Sequence, residues 1–169
     1  MTNERIFSLG PIIDHKSRVL ILGSIPGRQS LIKQQYYGNS KNHFWPILFE
    51  IYGHPPIDNY EKKIEFLRSN QIALWDTIGS CYREGSLDSK ITEAEPNSLE
   101  EMLETYPNIQ RIGCNGTKSY QTFRKHFINL MDRFEVSKLP STSPIPGRYN
   151  KSFEEKVEIW KEFLEGERY

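Results

Sequence analysis

The sequence predicts a three-layer α/β/α fold around a central four-stranded, mostly parallel sheet. Four short apolar runs read as buried strands, amphipathic helical patterns lie between them, and 169 residues suffice for one domain with a two-sided core. Strands alternating with helices of roughly ten to fifteen residues imply right-handed crossovers and a sheet covered on both faces.

The first run, Arg18-Val19-Leu20-Ile21-Leu22, ends in Gly23 and is continuously apolar, as a parallel strand buried on both sides must be. A helical pattern over 43–52 follows, with Phe44, Ile47, Leu48 and Ile51 on one side, Asn42 at its cap and Pro46 tolerated in the first turn. A helix over 60–69 carries Ile64 and Leu67. Gln71-Ile72-Ala73-Leu74-Trp75 is the second strand. Residues 77–97 show no clear period and read as a long loop. Ser98-Leu99-Glu100-Glu101 has a capping-box pattern and opens a helix that ends before Pro107. Asn108 to Cys114 is the third strand, and 116–127 a helix with Tyr120, Phe123 and Phe127 together. Arg133 to Leu139 alternates as the fourth strand and is closed by Pro140. Residues 152–165 form a last amphipathic helix with Phe153, Val157, Trp160 and Leu164 on its core side.

Composition narrows the class. Aromatics make up 12% of the chain, which disordered sequences lack. No apolar run approaches the ~20 residues of a membrane span, and the first ten residues have no signal-peptide pattern. Two cysteines are too few for a disulfide framework or a thiolate cluster, so a soluble cytoplasmic protein is expected. The 22 basic and 22 acidic residues cancel, which as a whole-chain number argues against a nucleic-acid partner. The zero conceals blocks: residues 15–49 carry +5, 50–107 carry −7 and 108–152 carry +6. If the fold joins the two acid-poor blocks, they make a cationic face suited to a phosphate polymer; otherwise they are a mixed surface.

In an open α/β sheet, ligands bind beyond the carboxyl ends of the strands. Four segments qualify: Gly23-Ser24-Ile25-Pro26-Gly27, Trp75-Asp76-Thr77, Asn115-Gly116 and Pro140-Ser141-Thr142-Ser143-Pro144. The first is a stiff, glycine-bearing turn without the spacing of a P-loop or a nucleophile elbow. Gln35 to Trp45 interleaves aromatics, amides and bases, a mixture that suits a nucleobase: rings stack on it and amides read its edges. Trp45 reads as a core anchor; Tyr36 and Tyr37, ahead of the helix, fit that role less well. Asn115 serves equally as a helix cap or as a two-sided hydrogen-bonding group for a ligand. Pro140 to Lys151 contains no acid, three hydroxyls and three prolines, with Lys138 before it and Arg148 within it, a composition suited to phosphate contact or to an ordinary surface loop. The four histidines show no metal spacing, and neither a metal nor a cofactor is expected.

Taken in order, LILGSIPGRQSL, QYYGNSKNHFW, ALWDTIGSCYREGSLDSKI, CNG and LPSTSP resemble the uracil-DNA glycosylase superfamily, most closely its hypoxanthine-DNA (deoxyinosine) glycosylase branch. The matching pieces span residues 20–144. The resemblance implies a single α/β/α domain over 1–169, acting as a monomer on double-stranded DNA. It would flip out a deaminated base (hypoxanthine, or also uracil or xanthine) and hydrolyse its N-glycosidic bond. It places Gly23, Ile25, Pro26 and Gly27 around the reacting sugar and base. Tyr37, with Phe44 beside it, stacks on the base, and Asn115 hydrogen-bonds it. Lys138, Ser141, Thr142, Ser143, Pro144 and Arg148 face the DNA backbone. In mismatch-specific uracil glycosylases the residue after the first glycine is a catalytic asparagine; here it is Ser24. The water-positioning group implied instead is Asn42, then Asn39, with Ser24 third. Relatives continue the last motif with Ala-Asn where this chain has Ile145-Pro146, so the helix-filling residue is assigned to Ile145 by position. A non-catalytic damage-binding module and a hydrolase of free nucleosides or nucleotides are the competing classes.

Overall fold

β-Branched residues favour the pleated, two-sided burial of a central strand, and the four apolar runs form the main sheet. The computed structural model describes residues 4–144 and 151–166. Its strands are β1 (Ile6–Phe7), β2 (Val19–Gly23), β3 (Ile72–Asp76), β4 (Ile78–Tyr82), β5 (Thr92–Pro96), β6 (Arg111–Asn115) and β7 (Glu135–Leu139). Its helices are α1 (Arg28–Lys33), α2 (Phe44–Tyr52), α3 (Tyr60–Ser69), α4 (Leu99–Thr105), α5 (Thr117–His126) and α6 (Phe153–Glu165). The central sheet runs β3-β2-β6-β7, parallel throughout.

The alternation of side chains along β2 divides the core into two. Ile21 faces a cluster with Phe44, Trp45 and Leu48 of α2, Leu67 of α3 and Trp160 of α6. Leu20 and Leu22 face the opposite cluster, with Leu99 and Leu103 of α4 and Phe123 of α5. Helices therefore cover both faces, as predicted. No helix among the described residues is long and apolar enough to cross a membrane.

The stretch 77–97 departs from expectation. It is not one loop: it holds β4 and β5, which pair antiparallel and, with β1, make a second, three-stranded sheet. β5 is Thr-Glu-Ala-Glu-Pro and largely exposed, so no hydrophobic period marks it. Its pairing with β4 is broken by two register shifts. The short helix α1 was likewise unexpected; Ser30 is its one buried residue, so it shows no apolar stripe. Two caps also differ. Ser98 precedes α4 but makes no side-chain cap bond, because its backbone is not in the extended cap conformation. Residue 43 occupies the cap of α2, while Asn42, one residue earlier, accepts the N–H of Phe44 at 2.8 Å through Oδ1.

Gly113 lies where β6 meets β7 and α6. A Cβ there would sit 2.7 Å from Leu139 Cδ1 and 2.8 Å from Phe163 Cε2. Gly113→Ala overpacks this seam and should cost about 1–3 kcal/mol, read as a lower midpoint of urea unfolding at unchanged slope.

Candidate active site

Parallel pairing brings Gly23 of β2 level with Asp76 of β3, and Asn115 of β6 level with Leu139 of β7. A cavity of about 390 Å³ opens beyond these ends, within the range of small-ligand sites. Gly23 to Gly27, Tyr37, Asn39, Asn42, Asn115 and Ser141 to Pro144 all line it, so segments far apart in sequence converge as anticipated. Lys138 is exposed on β7 and does not line it. Ile145 and Arg148 lie outside the described residues.

The turn after β2 is clamped from the long aperiodic stretch. Thr77 and Ile78 donate backbone N–H bonds to the carbonyls of Gly23 and Ser24. Arg83 Nη2 donates to Pro26 O at 2.9 Å, and Ser86 Oγ accepts from the N–H of Arg28 at 2.9 Å. Ser24, 8% exposed, donates its hydroxyl to Asp88 Oδ1 at 2.8 Å. That bond occupies the Ser24 proton and ties Ser24 to the strap at 83–89, leaving its hydroxyl only acceptor lone pairs for a water.

Tyr37 has φ of +53°, a left-handed conformation uncommon for a residue with a Cβ and a form of strain that clusters at functional sites. Its ring stacks on Phe44 at 4.0 Å between centroids and 19° between planes. Phe44 is fully buried and does not reach the cavity. The expectation that Phe44 touches a base is therefore corrected: it backs Tyr37 from the core. Tyr36, expected to fit a core role less well, both lines the cavity and belongs to the core. It is 4% exposed, packs in the main core cluster and donates its hydroxyl to Gly10 O at 2.8 Å. Trp45 is a core anchor, its indole N–H on Tyr36 O at 3.1 Å.

Asn115 ends β6, and the helix cap is Gly116, whose φ of +94° requires glycine. The Asn115 carboxamide joins the two halves of the site. Nδ2 donates to Tyr37 Oη at 3.2 Å and to Thr142 Oγ1 at 3.0 Å, and Oδ1 accepts from Thr142 N at 3.0 Å. Both donors are committed within the protein, so a base-reading role for Asn115 requires these bonds to open. Thr142 is 1% exposed and thus a buried tie, not the backbone-facing contact expected of it. Its carbonyl accepts the N–H of His43 at 2.9 Å. Trp160 Nε1 holds Pro140 O at 3.0 Å, and the Lys156 ammonium lies 3.3 Å from Nδ1 of His43. The loop 140–144 is thus pinned from three elements, with Ser141 exposed at its crest. Asn115→Ala removes three bonds from this arrangement and should lower turnover about tenfold through misplacement of Tyr37 and the loop. A rate equal to the parent's would show that Asn115 positions neither.

Asn42 and Asn39 both line the cavity. Each spends one Oδ1 lone pair on a backbone N–H, of Phe44 and Lys41 respectively. Their amide N–H groups have no partner among the described residues. A second Oδ1 lone pair remains on each, so either could hold a water by donation and acceptance together.

Sequence reasoning missed the chemistry of Asp76. The segment Trp75-Asp76-Thr77 was placed at the ligand edge, but nothing singled out its carboxylate. Asp76 lines the cavity, is 4% exposed, and its Oδ2 is buried without a hydrogen-bond partner among the described residues. Burial, reinforced by the nearby charge of Asp88 and opposed by Arg83, pushes its carboxyl up to about 7. The acid-poor blocks do become neighbours, through β2 beside β6, with β7 on the far side of β6. The acid-rich block nevertheless flanks β2 on its other side, and the charged residues lining the cavity are Arg28, Asp76 and Asp88. Among the described residues no cluster of three or more His, Cys, Asp and Glu could hold a metal.

Comparison with known proteins bears on this pocket. The family model described as the uracil DNA glycosylase superfamily matches residues 11–164. A protein of Methanosarcina acetivorans named hypoxanthine DNA glycosylase is 37% identical over 150 residues, covering 87% of this chain and 92% of its own. One of the same name from Methanosarcina barkeri is 41% identical over 110 residues, covering 64% and 70%. The solution NMR structure of a protein described as a candidate uracil DNA glycosylase from Methanosarcina acetivorans superposes with a TM-score of 0.79. It is 34% identical and covers 96% of this chain and all of its own.

Proposed function

The chain belongs to the uracil DNA glycosylase superfamily, and from that premise we propose that it excises deaminated bases, hypoxanthine first among them, from double-stranded DNA. The observation that carries the reading is the cavity at the strand ends, where a tyrosine backed by a buried phenylalanine meets two asparagines whose amide N–H groups have no partner among the described residues. The two relatives named as hypoxanthine DNA glycosylases favour hypoxanthine as the base.

The mechanism follows from what each group offers. An extruded base costs a few kcal/mol to unstack, less at a damaged pair. Stacking against Tyr37, whose other face rests on Phe44, offsets ~1–3 kcal/mol of this. Neutral asparagine is too weak a base to deprotonate water early. The chemistry tolerates this if the C1′–N bond breaks largely before attack, so that the sugar becomes an oxocarbenium ion and electron density collects on the base. Asn42 then has only to hold a water against C1′, with Asn39 as the second candidate. The turn Gly23–Gly27 approaches the base closely because glycine brings no side chain. Ser141 and Ser143, with Lys138 outside the pocket, are the contacts assigned to the DNA backbone. The protein works as a monomer and needs only water as co-reactant.

A duplex carrying one labelled deoxyinosine tests this. Incubation followed by alkali should break the strand at the lesion, and binding should weaken as salt rises because phosphate contacts release counterions. A gel shift without scission would identify a binding module. Hydrolysis of free deoxyinosine without scission would identify a nucleoside hydrolase.

A further inference from the structure

Resting on the reading of this pocket as a base-excision site, we propose that Asp76 is the acid that protonates the departing purine.

The polar side chains around the cavity differ in how fully they are used. The Ser24 hydroxyl proton is on Asp88, and both N–H groups of Asn115 are on Tyr37 and Thr142. Asp76 stands apart: it is 4% exposed, and its Oδ2 is buried with no partner among the described residues. The room it occupies is made by its neighbour on β2. A Cβ on Gly23 would lie 2.6 Å from Asp76 Oδ1 and 3.4 Å from Tyr37 Oη, so the missing side chain lets carboxyl and phenol approach over the glycine. Asp76 and Tyr37 therefore share the inner end of the pocket, where the base must lie if it stacks on Tyr37.

A desolvated carboxylate oxygen without a donor is costly, and the neutral acid is the cheaper state. The surrounding charges agree. Asp88, from the strap beyond β4, raises the group, and Arg83 at the end of β4 lowers it by less. Tyr36 and Tyr37 face it as un-ionised phenols, both held above their ordinary range by burial and by Asp76 itself. From β2 the neighbour is Gly23, which does not titrate. The balance leaves the carboxyl titrating at about 7.

The protonated form is also the one the chemistry uses. As the C1′–N9 bond breaks, its electron pair passes to the purine, and an anionic carboxylate alongside would oppose that transfer. The neutral acid instead gives its proton to a ring nitrogen, and the base departs as a neutral molecule. Water adds to the oxocarbenium carbon and releases a proton, which returns to the Asp76 carboxylate. Atoms and charge balance without a further reactant. Proton donation of this kind contributes roughly 10²–10⁴-fold to rate.

The test is the single-turnover rate of hypoxanthine release from duplex DNA across roughly pH 5 to 9, for the parent and for Asp76→Asn. The parent rate should be level at low pH and fall above about pH 7. Asp76→Asn should be slower by about 10²-fold or more and lose the alkaline fall, while still binding a duplex with non-hydrolysable 2′-fluoro-deoxyinosine. A variant close to the parent in rate, or one that keeps the alkaline fall, overturns the proposal. So does a parent rate that rises with pH, which would make Asp76 a base. If the variant does not fold, the parent profile decides alone by the same criterion. Release at the wrong limb contradicts Asp76 as acid and leaves excision standing; no release at any pH overturns excision and this proposal together.

Discussion

Asn42→Ala should cut single-turnover excision of hypoxanthine by ~10²-fold or more, because one well-placed polar group at a reacting centre is worth ~3 kcal/mol. Binding to a damaged duplex should persist, since Tyr37, the Gly23–Gly27 turn and the loop at 140–144 are untouched. The variant also loses the Oδ1 bond to Phe44 N, a cap-like contact worth about 1 kcal/mol. Its melting temperature should fall slightly, and the assay belongs well below that temperature. Asn42→Ser, which can still accept the Phe44 N–H, separates the two effects: it should recover stability without recovering rate. An Asn42→Ala enzyme that cleaves like the parent transfers the water-positioning role to Asn39, which has the same one-bond commitment in the same cavity.

Gly23→Ala should be as damaging for a different reason. Its methyl group would meet Asp76 Oδ1 at 2.6 Å, well inside van der Waals contact. The carboxyl must move by most of an ångström, and misplacement on that scale costs ~10²-fold in rate. Because β2 is central and its neighbours close-packed, some stability goes too, by about 1–3 kcal/mol. Pairing the change with Asp76→Ala decides the cause. If the clash acts through Asp76, the double variant is no slower than Asp76→Ala alone. A double variant slower by the full product would place the damage in the turn itself.

The strands of the central sheet were legible because burial on both faces demands an unbroken apolar run, as in Val19–Leu22. Helices α2, α3 and α6 were legible from their stripes. β5 was not, since Thr92–Pro96 is held by its ladder to β4 and buries almost nothing. The site was legible as a set of segments and less so as a set of roles. Composition marks Tyr36 and Tyr37 alike and both line the cavity, yet Tyr36 is buried in the core cluster while Tyr37, in its left-handed turn, is only half-buried. Phe44, Thr142 and Ser24 belong to matching motifs, yet their surroundings bury or tie them. The reverse holds for Asp76. Its position after the second strand was plain, but an unpaired buried oxygen is a property of three converging elements, and no local pattern records it.

Identification of the small molecule released from a deoxyinosine duplex tests the central claim most directly. Mass spectrometry of the filtrate after incubation should find free hypoxanthine, in amount equal to the alkali-labile abasic sites left in the DNA. Release of deoxyinosine or its monophosphate, or a filtrate empty of base while the duplex is bound, would contradict excision by this pocket.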